Sequence, residues 1–185
     1  MENKKKREVS VIFLLMIAMI IMTVGFAAYA ANLKINGTVT VKKQNWSVHY
    51  DTDSLNEGDS TSGITATTHT LGTTDYTFAV TLNKPGDTYV AKFDVVNDGT
   101  FDANLKKVTM TMDSAHSKYL QYTVSVNGTV YNATTDNLSV ALAATTGKHP
   151  VIVTVKYLQP ENATDLPSED QTVTVSGQLD YEQAN

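Results

Sequence analysis

Cysteine is absent from all 185 residues, so neither a disulfide framework nor a thiolate metal site can exist. An exported protein of this composition holds its fold by its core alone. Helix-favouring runs of Ala, Leu, Glu and Lys are scarce. Also missing are the patterns that announce catalysis: GxSxG, HExxH-like spacing and a Gly-rich phosphate loop. The four histidines, His49, His69, His116 and His149, fall on different predicted elements, so no metal set is expected from them. Asp51, Asp53, Glu57 and Asp59 resemble a calcium loop only superficially. Leu55 sits where a ligand belongs, Asn56 where the glycine belongs, and the closing Glu is missing. No catalytic residue, metal or cofactor is expected, and the chain is read as not an enzyme.

What is present points to strands. Thr, Val, Asn, Tyr and Ser recur throughout, a balance that favours extended chain and turns. With 18% charged and 42% hydrophobic residues the composition suits one globular domain. There is no internal repeat and no low-complexity tract. Six Asn-x-Ser/Thr sequons, at Asn36, Asn45, Asn127, Asn132, Asn137 and Asn162, become glycosylation sites only in a host that glycosylates.

The first thirty residues are a different material. Lys4, Lys5, Lys6 and Arg7 form a basic start, Val11 to Met22 is unbroken apolar chain, and small residues follow to Ala31. That is the order of a secretory signal peptide. The competing reading is an uncleaved membrane anchor, because Val11 to Ala31 nearly reaches spanning length. Cleavage after Ala28 and after Ala30 fit the local chemistry equally well. Removal of residues 1–28 leaves ten basic against seventeen acidic residues, a net charge of −7. Nucleic acid and anionic membrane are then poor partners.

Beyond residue 32 period-two alternation dominates. Leu33, Ile35, Val39 and Val41 mark a first strand; Trp46, Val48 and Tyr50 a second. Residues 51–62 read as a polar loop. Tyr76–Leu82, Tyr89–Val95, Leu105–Met112, Leu120–Val126, Leu138–Leu142, Val151–Tyr157 and Val173–Tyr181 supply further alternating segments. Asn127-Gly128 predicts a hairpin. Nine to eleven short strands without an amphipathic helix predict an all-β, antiparallel β-sandwich of jelly-roll type. The expected organisation is a signal peptide over 1–28, an N-terminal strand over 29–41 and a β-sandwich over 42–185.

The block KPGDTYVAKFDVVNDGTFDA, residues 84–103, carries Asp87, Asp94, Asp98 and Asp102 around an apolar face of Tyr89, Ala91, Phe93 and Val95. It reads as a hairpin-forming unit. Lys84-Pro85-Gly86-Asp87 makes one turn and Asn97-Asp98-Gly99 another, where Asn, Asp and Gly accept positive φ.

Two stretches together resemble the TasA/camelysin family of bacterial secreted matrix proteins. VGFAAYAANLKINGTVTV, residues 24–41, is similar to the junction cut by SipW-type signal peptidases. There an apolar run ends in small residues, an aromatic follows and a β-forming segment begins. The likeness favours cleavage between Ala28 and Tyr29. Residues 84–112, with Pro85, Gly86, Asp87, Asn97 and Gly99 as marker turns, are similar to the family's most recognisable block, and VTVSGQLDYEQAN to the close of many such proteins, BsaA-like ones included. The resemblance implies a jelly-roll subunit of an extracellular biofilm-matrix or surface filament. Its N-terminal segment, through Leu33, Ile35, Val39 and Val41, would complete a neighbour's sheet. The implied partners are further copies of the chain, a SipW-type signal peptidase, and other matrix proteins or the cell wall. The implied location is extracellular. Camelysin-like relatives are classed as metallopeptidases, but no motif here carries that activity over. The competing reading is an adhesin or carbohydrate-binding sandwich that stacks sugars on Trp46 and exposed tyrosines.

Overall fold

The computed structural model describes residues 2–28 and 37–184. The chain divides into two units, Met1–Lys42 and Lys43–Asn185. In the first, Glu2–Ala28 is one α-helix, α1. Among the described residues no helix is long and apolar enough to cross a membrane. Tyr29, Leu33 and Ile35 lie outside the described residues. Gly37–Lys42 holds no regular secondary structure, and Val39 and Val41 are 85% and 87% exposed. The described part of the expected first strand, 37–41, is therefore not a strand.

The second unit is all-β and antiparallel. Its strands are β1 (Val48–Asn56), β2 (Ala66–Leu71), β3 (Tyr76–Val80), β4 (Thr88–Asn97), β5 (Ala103–Met112), β6 (Leu120–Val126), β7 (Thr129–Tyr131), β8 (Val140–Leu142), β9 (Gly147–Tyr157) and β10 (Val175–Gln183). They form a five-stranded sheet in the order β1-β4-β9-β6-β7, a three-stranded sheet β10-β5-β8 and a two-stranded sheet β2-β3.

The alternation places the core. In β4 every second residue is buried, from Tyr89 to Asn97. Register then stacks like against like across the central strands: Tyr89 opposite Val155 opposite Tyr122, Ala91 opposite Val153 opposite Val124, and Phe93 opposite Val151 opposite Val126. β-branched and aromatic neighbours on one pleated face are the unit of sheet stabilisation. Ala103, Leu105, Val108 and Leu142 of the three-stranded sheet join the same buried cluster. From β2-β3, Phe78 stacks on Tyr89 at 5.0 Å and Tyr76 meets Phe93 at 5.0 Å. The two smaller sheets thus share one core with the large one.

Local turn chemistry explains several boundaries. Pro85 and Gly86 (φ +98°) form a turn closed by Asp87 N–H donating to the Lys84 carbonyl, a type II geometry that only a residue free to take positive φ can occupy. Asn127 (φ 48°) and Gly128 (φ 82°) join β6 to β7 in the predicted hairpin, with both central residues left-handed. The apolar alternation of Leu105–Met112 is broken at Lys106, which the β5–β10 register skips.

Three expectations need correction. Residues 51–56 are not loop: β1 continues through them, with a register shift between Asp51 and Asn56. Their polar side chains misled because this is an edge strand whose hydroxyls bond locally, Ser54 Oγ to the Asp51 carbonyl and Asp94 N–H to Ser54 Oγ. The 84–103 block is not a hairpin, because β4 pairs with β1 and β9 whereas β5 pairs with β10 and β8. Residues 98–102 are instead a corner between two sheets. Nor does positive φ explain Gly99: a Cβ there would lie 2.7 Å from the Asn45 carbonyl oxygen and 2.8 Å from Ser47 N. Close approach of another backbone is what requires glycine.

Candidate assembly surface

The marker turns assemble into two built structures. At the first, the Asp87 carboxylate is buried and accepts from Asn83 N–H at 2.8 Å and Lys84 N–H at 3.0 Å. Gly86 and Asp87 are then tied to the end of β9: Gly86 N–H donates to the Tyr157 carbonyl and Tyr157 N–H to that of Asp87. At the second, Asn97 is 1% exposed. Its Nδ2 donates to the Phe101 carbonyl at 2.9 Å and the Leu142 carbonyl at 3.3 Å, and its Oδ1 accepts from Gly99 N–H at 3.0 Å. One amide therefore fastens the corner to both sheets.

That corner also seats the chain that follows the N-terminal arm. Asp98 N–H donates to the Ser47 carbonyl and Thr100 N–H to that of Asn45, with Gly99 leaving room between them. Gly37–Lys42 precedes this anchored stretch. The stretch Asn45–Ser47 is thus anchored within the second unit, and Gly37–Lys42 before it holds no regular secondary structure.

The other half of a strand-addition surface is an open edge. β10 borders the three-stranded sheet and pairs only with β5 among the described strands. Its nine residues, VSGQLDYEQ, contain neither the proline nor the lysine that commonly blunts an edge. Other edges are shorter or occupied. β7 and β8 have three residues each. The β1 edge is irregular, and Tyr50 N–H already bonds the Thr73 carbonyl. The β5 flank beyond β8 is bridged by Thr135 to Val108.

Most of the acids singled out in the sequence, and His49, make side-chain contacts of their own, whereas the buried His116 Nδ1 has no hydrogen-bond partner among the described residues. Asp94 bonds Lys148 at 2.9 Å, Asp98 faces His49 at 3.5 Å, and Asp102 Oδ1 accepts from Ala144 N–H at 2.7 Å. Of the acids that resembled a calcium loop, Asp59 pairs with Lys92, Asp51 faces Lys148 at 3.8 Å, and Asp53 N–H bonds Asp51 Oδ1. The Tyr76 and Tyr89 hydroxyls both lie within hydrogen-bond reach of Glu57 Oε1 and 2.6 Å from each other, so with one proton apiece they fill two of these three contacts at a time, and Glu57 lies 3.4 Å from His69. Burial, and then the Glu57 carboxylate, push the Tyr76 phenol up to about 12, although the bond from Tyr89 works against the shift. Burial and the same carboxylate also raise Tyr89. Among the described residues no group of three His, Cys, Asp or Glu is placed to hold a metal.

His149 is not a surface histidine but 2% exposed. Its Nε2 lies 3.0 Å from the Ala141 carbonyl, which only accepts, so Nε2 carries the proton. Nδ1 then accepts from the Tyr181 hydroxyl at 2.9 Å, linking β9 to β10. Burial lowers its pKa below the usual 6.5, partly opposed by the Ala141 bond. A lowered folded-state pKa makes this contribution to stability complete above pH 6.5 and lost as pH falls below it. Urea unfolding at pH 7.5 and 5.5 is expected to show a drop in stability that His149→Gln reduces. An unchanged pH slope in the variant would refute the assignment.

Tyr89, Tyr122 and Tyr131 are buried, and Tyr50, Tyr76 and Tyr181 are partly buried against the core. They are not the exposed platforms a carbohydrate-binding reading expects, whereas Trp46 is 44% exposed. Sequence reasoning missed the Glu57–Tyr76–Tyr89 network and the His149–Tyr181 link. Alternation did place Tyr89 inward, but nothing local points to partners tens of residues away. Compared with models of known families and with curated proteins, the chain matches none.

Proposed function

We propose that the chain is a secreted structural subunit of an extracellular biofilm-matrix or surface filament of the TasA/camelysin kind, assembling by β-strand addition. The observation that carries this reading is the exposure of Val39 and Val41, in a segment outside any described strand that immediately precedes the β domain in sequence. The open β10 edge is its complement.

The physical case stands beside the family likeness. An unpaired edge is a template for an added strand. The arm from Tyr29 to Val41 would span about 43 Å when extended, enough to lie along a β10 edge of about 30 Å. Leu33, Ile35, Val39 and Val41 would all point to one face. Donation to a neighbour is heterologous and does not close, so it propagates as a fibre. Antiparallel sheets packed around one core support a jelly-roll description. The basic start followed by the apolar run supports a signal peptide removed by a SipW-type peptidase, which would free the arm.

Intact-mass and N-terminal analysis of the exported protein tests the route. A start at Tyr29 is expected. Retention of residues 1–28 would replace the free fibre subunit by a tethered one and overturn the reading.

A further inference from the structure

We propose that the cleft beside the Lys84–Asp87 turn binds a neutral, hydroxyl-rich ligand, namely an uncharged oligosaccharide. The cleft has a volume of about 590 Å³, within the range of small-ligand sites. Three chain segments build it, and specific bonds hold each in place. The turn supplies Pro85 and is fixed to Tyr157 by two backbone hydrogen bonds. The loop after β9 supplies Pro160, Glu161 and Asn162. That loop is held at its start by Leu158 N–H on the Tyr119 carbonyl and further on by Lys118 on Asp165 at 2.8 Å. The walls therefore stand before any ligand arrives, which lowers the ordering cost of binding.

The ligand class follows from the lining. Tyr157 offers an aromatic wall, with Tyr119 edge-on to it at 6.2 Å, and the two prolines add flat apolar surface. Sugar rings present C–H faces to such surfaces and hydroxyls at their rims. Lys156 and Glu161 are in no ion pair among the described residues, so a donor and an acceptor remain uncommitted. Asn162 adds an amide held only by a long 3.5 Å bond to Asp165. Lys118 and Lys156 balance Glu161 and Asp165, so formal charge selects neither anion nor cation. Mixed donors and acceptors of zero net charge match hydroxyls, which both donate and accept. The cleft lies on the β9 and Pro85 end of the domain and does not depend on the filament reading.

The test is an amide NMR titration of the full chain at millimolar ligand with cellotetraose, the N-acetylglucosamine tetramer and tetragalacturonate. At least one neutral tetramer is expected to shift signals of Gly86 and Tyr157–Asn162, with tetragalacturonate at least about tenfold weaker. The double variant Glu161→Gln, Asn162→Ala lies on an exposed loop and is expected to weaken binding about tenfold at unchanged Tm. Failure of both neutral sugars overturns the proposal, as does preference for the uronate or full binding by a folded double variant.

Discussion

A chain that begins at Lys43 is expected to stay monomeric where one that begins at Tyr29 polymerises. The trimmed protein keeps every residue of the buried cluster, which starts at Ile64. The removed valines are 85% and 87% exposed and so contribute little burial. Trimming should therefore leave the circular dichroism and Tm nearly unchanged, within about 0.5 kcal/mol of stability. The loss should fall on assembly, where four apolar side chains at about 1.5–3 kcal/mol each would go into a neighbour's core. Light scattering and electron microscopy of the two proteins at matched concentration read the difference. Equal polymerisation would show that the fibre contact lies elsewhere.

Asn97→Ala is expected to destabilise the subunit by about 2–4 kcal/mol. Its amide serves two carbonyls and one N–H in a place that is 1% exposed, so truncation leaves buried polar groups without partners. For a domain of this size Tm should fall by about 5–12 °C. Asn97→Asp keeps the acceptor for Gly99 N–H but cannot donate to Phe101 and Leu142, so it should be no better. A Tm within 2 °C of wild type for either variant would mean that the corner is not fastened as described. The neighbouring Gly99 acts on the same corner from outside, by admitting the Asn45–Ser47 backbone.

These two predictions also mark where sequence reading succeeds and where it stops. The inward faces of β4, β6 and β9 are legible because a strand exposes its two faces at period two and the apolar residues keep that period. The Asn127-Gly128 hairpin is legible because its dipeptide demands left-handed φ at both positions. Asn97-Asp98-Gly99 carries similar letters but joins strands of different sheets. Local turn chemistry does not distinguish a hairpin from a corner; the pairing of β4 with β9 and of β5 with β10 decides it, and that information is not local. The polar stretch 51–56 hid a strand for a related reason. An edge strand needs apolar residues only where it meets the core, and its hydroxyls can serve its own bulge.

For the assembly surface, alternation in the arm was visible, but its lack of a partner over the described residues was not. The open edge of β10 was invisible, since VSGQLDYEQ reads like any last strand until its neighbours are known. The contacts of buried His149 and part-buried Glu57 are equally out of reach, because their partners come from other elements.

The absence of cysteine gives the most direct test of strand addition, because no native thiol competes with an introduced pair. Two proteins starting at Tyr29, one carrying Val39→Cys and one carrying Ser176→Cys on the β10 edge, would be mixed under assembling conditions and oxidised. Strand addition at β10 predicts a covalent pair between the two variants, absent when the second cysteine is moved to Val130→Cys on β7. Crosslinking that is no greater at position 176 than at position 130 would contradict it.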